Sequence, residues 1–269
     1  MGGRSLIHEV VGWIPWAVYA ALALLHARRW FSSVPAEATE YRLWRVGGVA
    51  VHGVLFLFTA WEQQRLPFGT MWEALSLAML VLAGSYLLLE HLARSSALAA
   101  PFFTLAAFGS GLSVANHEPP RWPIHVQSAW FASHVTCGVA GLAFLMAAGL
   151  LAAAWLLQYR ELRARRFGRL SQRLPDLATL DRLFLAASIV GTATLFVGGL
   201  LGVFWMVSQG RELHTVLPKF TMVLITVLWN LVLQALRRRD AFSIRTAAWM
   251  GFVGILPVGV VVWVGAGGY

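Results

Sequence analysis

The sequence predicts an all-α integral membrane protein, a bundle of about eight transmembrane helices with both termini on the outer side. Three observations carry this. The 269-residue chain is 58% hydrophobic and only 12% charged, whereas soluble domains carry roughly 25% charge. Its apolar runs recur along the whole length, many close to the ~20 residues that a spanning helix needs. Its arginines gather in alternate connectors. Lipid offers no hydrogen-bond partner to an open backbone, so helices are the economical solution, and the period-two alternation of a membrane β-barrel is missing.

Eight segments qualify in order, at about 6–26, 45–61, 69–90, 97–115, 124–157, 182–207, 217–236 and 244–264, within one polytopic domain over residues 1–269. The first lacks a small-x-small cleavage site behind a short apolar core and reads as a retained helix. The second is short. The fifth is long and is expected to project beyond the bilayer. Between the fifth and sixth, QYRELRARRFGRLSQRLPDLATLDRL (158–183) reads as a basic connector, either solvated or lying on the anionic inner leaflet.

Charge sets the direction. Connectors after segments 1, 3, 5 and 7 hold Arg28, Arg29, Arg42 and Arg45; Arg94; Arg160, Arg163, Arg165, Arg166, Arg169, Arg173 and Arg182; and Arg237, Arg238, Arg239 and Arg245. These are 16 of the 21 basic residues. The opposite side holds Arg4, Arg65, Arg121, Arg211 and Lys219. Basic residues favour the cytoplasmic side, which places both termini outside, in a bacterial plasma (inner) membrane. The same placement explains the net charge of +9 without nucleic acid as a partner. The sole cysteine, Cys137, lies inside an apolar run and reads as a packing residue, since no pair exists for a disulfide or a CxxC motif.

Ionisable groups inside spans are costly and mark candidate sites. His52 falls near the middle of segment 2, and Glu73 about one turn into segment 3. Asn230 and Gln234 share one face of segment 7. Outer connectors gather His117, His125 and His214, with Trp61, Trp72, Trp122, Trp130 and Trp205 close by. Tryptophan is expected at that level as an interfacial anchor, whereas imidazole is a common ligand of metals and of haem iron. His125 opens segment 5 at the outer surface and His52 lies on the order of 13 Å deeper, from the helical rise. Two axial ligands of one iron are only about 4 Å apart, given metal–nitrogen bonds near 2 Å. His125 and His52 are therefore poor partners, whereas His125 and His214 share a level. His134, nine residues after His125, falls on the opposite face of the helix, so only one of the two can face a given site.

Several stretches then coincide with a known pattern. LPFGTMWEALSLAMLVLAGSYLLLE (66–90), the helix start IHVQSAWFASH (124–134), and RLPDLATLDRL (173–183) leading to a glycine-rich helix ending Gly202-x-x-Trp205 resemble the cytochrome c assembly family, the CcsA/HemX-like haem-handling membrane proteins. The resemblance runs from about residue 40 to 255. It implies haem, expected as haem b, as cofactor and partner, with His125 at the family's outer haem-ligand position; the other metal ligand is then His214, which shares its level, or an external group. It also implies lipid and other membrane proteins of cytochrome assembly or a respiratory complex as surroundings. Trp130, Trp205, His52 and Glu73 become candidate cofactor contacts, and Arg121, Arg211 and Lys219 candidate partners for the propionates.

The resemblance also has gaps. The family's tryptophan-rich outer loop corresponds to GRELHTVLPKF (210–220), where Gly210, His214 and Val216 replace tryptophans and Leu217 the aspartate. Arg237 falls about where family synthases carry a histidine, and the ending WVGAGGY contains none. This departs from a complete haem-attachment enzyme and is closer to the HemX-like branch. Two other readings stand beside it. One is a structural or regulatory subunit that keeps the fold without haem. The other is a small-solute transporter using His52, Glu73 and Asn230, against which the lack of two matching halves with broken spans counts.

Overall fold

The computed structural model describes residues 6–31, 39–116, 128–165, 168, 172–210, 213–238 and 243–254, with the side chains of 6–10, 31, 39–40, 213–219 and 238 excepted. The described residues form eight α-helices and no strand: α1 (Leu6–Phe31), α2 (Thr39–Gln63), α3 (Met71–Ala93), α4 (Ala99–Ala115), α5 (Ala129–Arg163), α6 (Leu177–Ser208), α7 (Leu213–Arg238) and α8 (Ile244–Val253). Five of them contain apolar spans long enough to cross a membrane, within α2, α3, α5, α6 and α7, while α4 is shorter. The chain is a multi-pass helical membrane protein.

Three boundaries differ from the sequence reading, each because polar residues found partners inside the fold. α2 is not short: it starts at Thr39, and its Arg45 is buried against Glu90 of α3, with Nε donating to Oε2 at 2.9 Å. α5 starts at Ala129, not 124, because the Ser128 side chain accepts from the Phe131 N–H at 3.3 Å. The basic connector shrinks from both ends. α5 runs on to Arg163, and α6 begins at Leu177, capped by Asp176, which accepts from the Thr179 N–H at 2.8 Å. Hydrogen bonds from Thr179 hold the Asp176 carboxyl below the usual carboxylate range.

The helices group into two compact units, residues 1–121 with 168–174, and 122–167 with 175–269. In the first, α1 packs on α2 and α4, and α3 on α2 and α4. Its core is aromatic: Tyr19, Tyr86, Phe102 and Phe103 are fully buried, with Tyr86 edge-on to Phe103 at a centroid distance of 5.3 Å. Several polar groups of this core are paired. His52 is held from both sides, Nδ1 by the Tyr19 hydroxyl at 2.9 Å and Nε2 by Ser76 Oγ at 3.1 Å. Arg29 lies over the Tyr41 ring at 3.8 Å.

In the second unit α6 packs on α5 and α7, and α8 on α5 and α7. Glycines let α5 and α6 meet backbone to backbone. A Cβ on Gly141 would stand 2.5 Å from Leu195 N, and one on Gly198 would stand 2.6 Å from Gly138 N. Small residues that allow such approach are a main source of helix association in lipid, where the hydrophobic effect gives little. α6 and α7 are joined differently, by side-chain hydrogen bonds. Ser188 Oγ donates to Asn230 at 3.3 Å, and Gln234 Nε2 donates to Ser188 and Thr192 at 3.2 and 3.1 Å. Asn230 and Gln234, one turn apart, thus both serve α7 packing.

The glycine contact yields a paired test. Gly141→Ala should lower stability by about 1–3 kcal/mol through overpacking, read as thermal unfolding in detergent. Gly84→Ala on α3, where a Cβ meets nothing within 4 Å, should leave stability unchanged or raise it by up to ~1 kcal/mol through helix propensity.

Candidate functional site

Among the described residues, the start of α5 and the end of α6 carry the imidazole whose arrangement best suits a ligand. Capping by Ser128 fixes the first turn of α5, so Trp130, Phe131 and His134 recur at helical spacing along it. Opposite them α6 presents Gly198 and Gly202, one turn apart, followed by Phe204 and Trp205. The His134 ring fills the space that Gly202 leaves: a Cβ there would stand 2.5 Å from its Cε1. Its Nδ1 lies 2.7 Å from the Gly198 carbonyl oxygen. A carbonyl only accepts, so Nδ1 carries the proton and Nε2 keeps its lone pair. Among the described residues Nε2 makes no hydrogen bond. An imidazole with one nitrogen tied to a backbone carbonyl and the other free is the arrangement of a metal-ligating histidine with its orienting partner.

Aromatic walls flank it. Trp205 is buried against Phe131, with ring centroids 4.9 Å apart, and its Nε1 has no hydrogen-bond partner among the described residues. Trp130, half exposed, meets Phe204 at 4.7 Å. Among the described residues no group of three or more His, Cys, Asp or Glu side chains converges. A bare metal ion would need such a group, whereas a porphyrin brings its own four nitrogens and asks the protein for one or two axial ligands. One oriented imidazole, flat apolar rings and a buried indole N–H fit haem.

The other predicted candidates fall as follows. His125, Arg121 and Arg211 lie outside the described residues. His214 and Lys219 belong to α7, their side chains outside the described set. Here the expected outer loop 208–219 is corrected: α6 ends through Gly210 at φ +66°, and α7 begins at Leu213. With the family's tryptophans and aspartate replaced, LHTVL is helix-competent, and most of the former loop becomes the first turns of α7. His52 has both ring nitrogens engaged, so ligation there would require one bond to be given up. Arg237 donates to Asp181 of α6 at 2.6 Å, which accounts for a cation at that position.

Glu73 has a structural duty. It receives two bonds from Arg65, at 2.8 and 2.5 Å, and a third from the Gly69 N–H at 2.8 Å, while Thr70 caps the helix through the Glu73 N–H at 3.1 Å. Both members of the ion pair are about 95% buried, with side-chain exposures of 6% and 5%. Together they tie the turn Pro67–Thr70 onto α3.

His134 was the residue that sequence reasoning set aside, because a helix running from 124 turned it away from His125. Two signals could have favoured it: Ser128 as a cap, and Gly202 near the end of segment 6, which makes room for a ring. Glu73→Gln, which strands the buried Arg65 charge, should cost about 3–5 kcal/mol in thermal unfolding. The double change Arg65→Met with Glu73→Leu should recover much of that loss, although the Gly69 N–H loses its acceptor.

No curated protein matches the chain. The sequence does match the family described as Cytochrome C assembly protein over residues 68–263, from the Glu73 turn through α8. That stretch is most of the chain and contains the α5–α6 site, and so the protein belongs to the cytochrome c assembly family.

Proposed function

We propose that this protein holds haem at the outer ends of α5 and α6 and serves cytochrome c biogenesis by carrying or presenting it there. The family supports a role in cytochrome c biogenesis. The observation that carries the finer reading is His134, oriented by the Gly198 carbonyl with Nε2 free. In this reading Nε2 would ligate the iron, Phe131, Trp130 and Trp205 would shield the group from water, and the Trp205 N–H would meet a carboxylate. His125 and His214 are the candidates for a second ligand, and Arg121, Arg211 and Lys219 for the propionates. Bound haem would supply a redox-active iron. The protein's own part is to orient the imidazole and exclude water. The replaced tryptophan loop and the arginine at position 237 support a holder of the HemX-like kind over a haem-attachment enzyme.

The same replaced loop favours one rival, a helix-packing subunit without haem. Protein purified in mild detergent from haem-replete cells separates the two by its visible spectrum. A Soret band is expected in the parent. His134→Gly should lose it and regain it with added imidazole, and Gly202→Ala, which displaces the ring, should weaken haem affinity by about 10–100-fold. A parent without a band would sink the haem reading and leave the packing subunit. A band that survives His134→Gly but not His125→Ala would move the ligand to His125.

The outer location rests on the charge pattern, which puts Arg160 and Arg163 at the cytoplasmic end of α5. A reporter active only in the periplasm, fused after Arg163, should stay silent in an inner-membrane preparation. Activity at that fusion would invert the topology.

A further inference from the structure

At the far end of α5 from His134, within the second unit, a cavity of about 570 Å³ opens between α5 and α8. Its lining changes character along its length. From α5 come Ala153, Leu156 and Leu157, then Tyr159, Arg160 and Arg163; from α8 come Phe252 and Trp249, then Arg245. These positions recur at three- and four-residue steps, so each helix offers a single face. The faces agree in direction, since both helices place apolar and aromatic groups toward their membrane-buried parts and arginine at the connector end. From Ala153 to Arg163 the gradient runs about 15 Å, from the helical rise.

None of the three guanidinium groups forms an ion pair among the described residues. Arg160 and Arg163 sit in the last turn of α5, where the helix dipole favours a cation. Arg245 has no such reason: it lies in the first turn of α8, where the dipole disfavours a cation. Glu161, the acidic neighbour in sequence, does not line the cavity. The groove thus presents three unneutralised cations above an apolar slot, in a protein that lies in lipid.

We infer that this groove binds one anionic phospholipid, its phosphate held by Arg160, Arg163 and Arg245 and an acyl chain lying along Leu156, Leu157, Trp249 and Phe252. The size suits a head group and the start of a chain, and basic pockets between helices at the cytoplasmic side are the usual setting for such lipids. The site shares no residue with the haem site, and it holds whether or not haem is bound.

Native mass spectrometry of the full chain in mild detergent tests this, with dioleoyl phosphatidylglycerol and dioleoyl phosphatidylcholine at equal concentration. The two share tails and differ in head-group charge. Phosphatidylglycerol adducts should exceed phosphatidylcholine adducts several-fold. Arg160→Gln, Arg163→Gln and Arg245→Gln should each reduce them, on the order of fivefold per guanidinium lost, and the triple variant should show no preference. Arg28→Gln with Arg42→Gln and Arg94→Gln, three exposed cations of the first unit, should leave the adducts in place. Ala153→Trp, which fills the floor and keeps every charge, should also lose phosphatidylglycerol. Thermal unfolding checks that each variant is folded. Equal binding of the two lipids, equal loss in the control triple variant, or retention in Ala153→Trp would overturn the proposal. Displacement by excess inorganic phosphate would reassign the site to a soluble anion.

Discussion

The close approach of α5 and α6 is the constraint on which the second unit depends. Two helices in lipid gain little from the hydrophobic effect, so van der Waals contact over a matched surface must hold them. Gly141, Gly191 and Gly198 provide that surface by removing side chains where the backbones meet. The contact has a chemical consequence at its outer end. Only because Gly202 lacks a Cβ can the His134 ring lie against α6, and only because the backbones are close does the Gly198 carbonyl reach Nδ1. The packing element and the orienting element are one element. The His134 imidazole needs no carboxylate to orient it, because the α6 backbone supplies the acceptor.

A second constraint sorts the polar residues. Charges and hydrogen-bonding groups taken out of water must find partners, and most of those here do so within their own unit. Arg65 with Glu73, Arg45 with Glu90 and Arg237 with Asp181 are ion pairs. His52 sits between Tyr19 and Ser76, and Asn230 and Gln234 hold Ser188 and Thr192. A transport path through His52, Glu73 and Asn230 finds little support, since each is already committed to a local bond. Among the described residues a minority lack such partners, Ser110 Oγ and Gln158 Oε1 for example. The Trp205 indole N–H is another, and His134 Nε2 and the three groove arginines also make no polar contact there.

Helix number and order were legible in the sequence because apolar run length is a strong, local quantity. Boundaries were less so. Arg45, Ser128 and Arg163 each belong to a helix or its cap, yet hydropathy counts a charge or a hydroxyl as an end, and only the tertiary partner shows otherwise. The family was legible for a related reason. Leu66-Pro67 to Glu73 and Leu174-Pro175 to Asp181 are turn-and-anchor motifs whose carboxylates pair with Arg65 and Arg237. The setting of His134 was harder to read. A histidine's value depends on what its other nitrogen touches, and the Gly198 carbonyl is 64 residues away in sequence.

The departures from the family pattern are consistent with one another once placed in the fold. With the tryptophans gone, residues from Leu213 onward join α7, so that segment no longer forms the wide loop a ring of tryptophans would require. With arginine at position 237, the inner half of α7 is committed to Asp181 and offers no imidazole. The departures thus fall on the start and the inner half of α7, while the α5–α6 glycine contact and the Arg65–Glu73 pair that anchors the turn before α3 stay in place. Side chains can change in such a segment without loosening the rest of the bundle, because backbone contact and buried ion pairs hold the other helices.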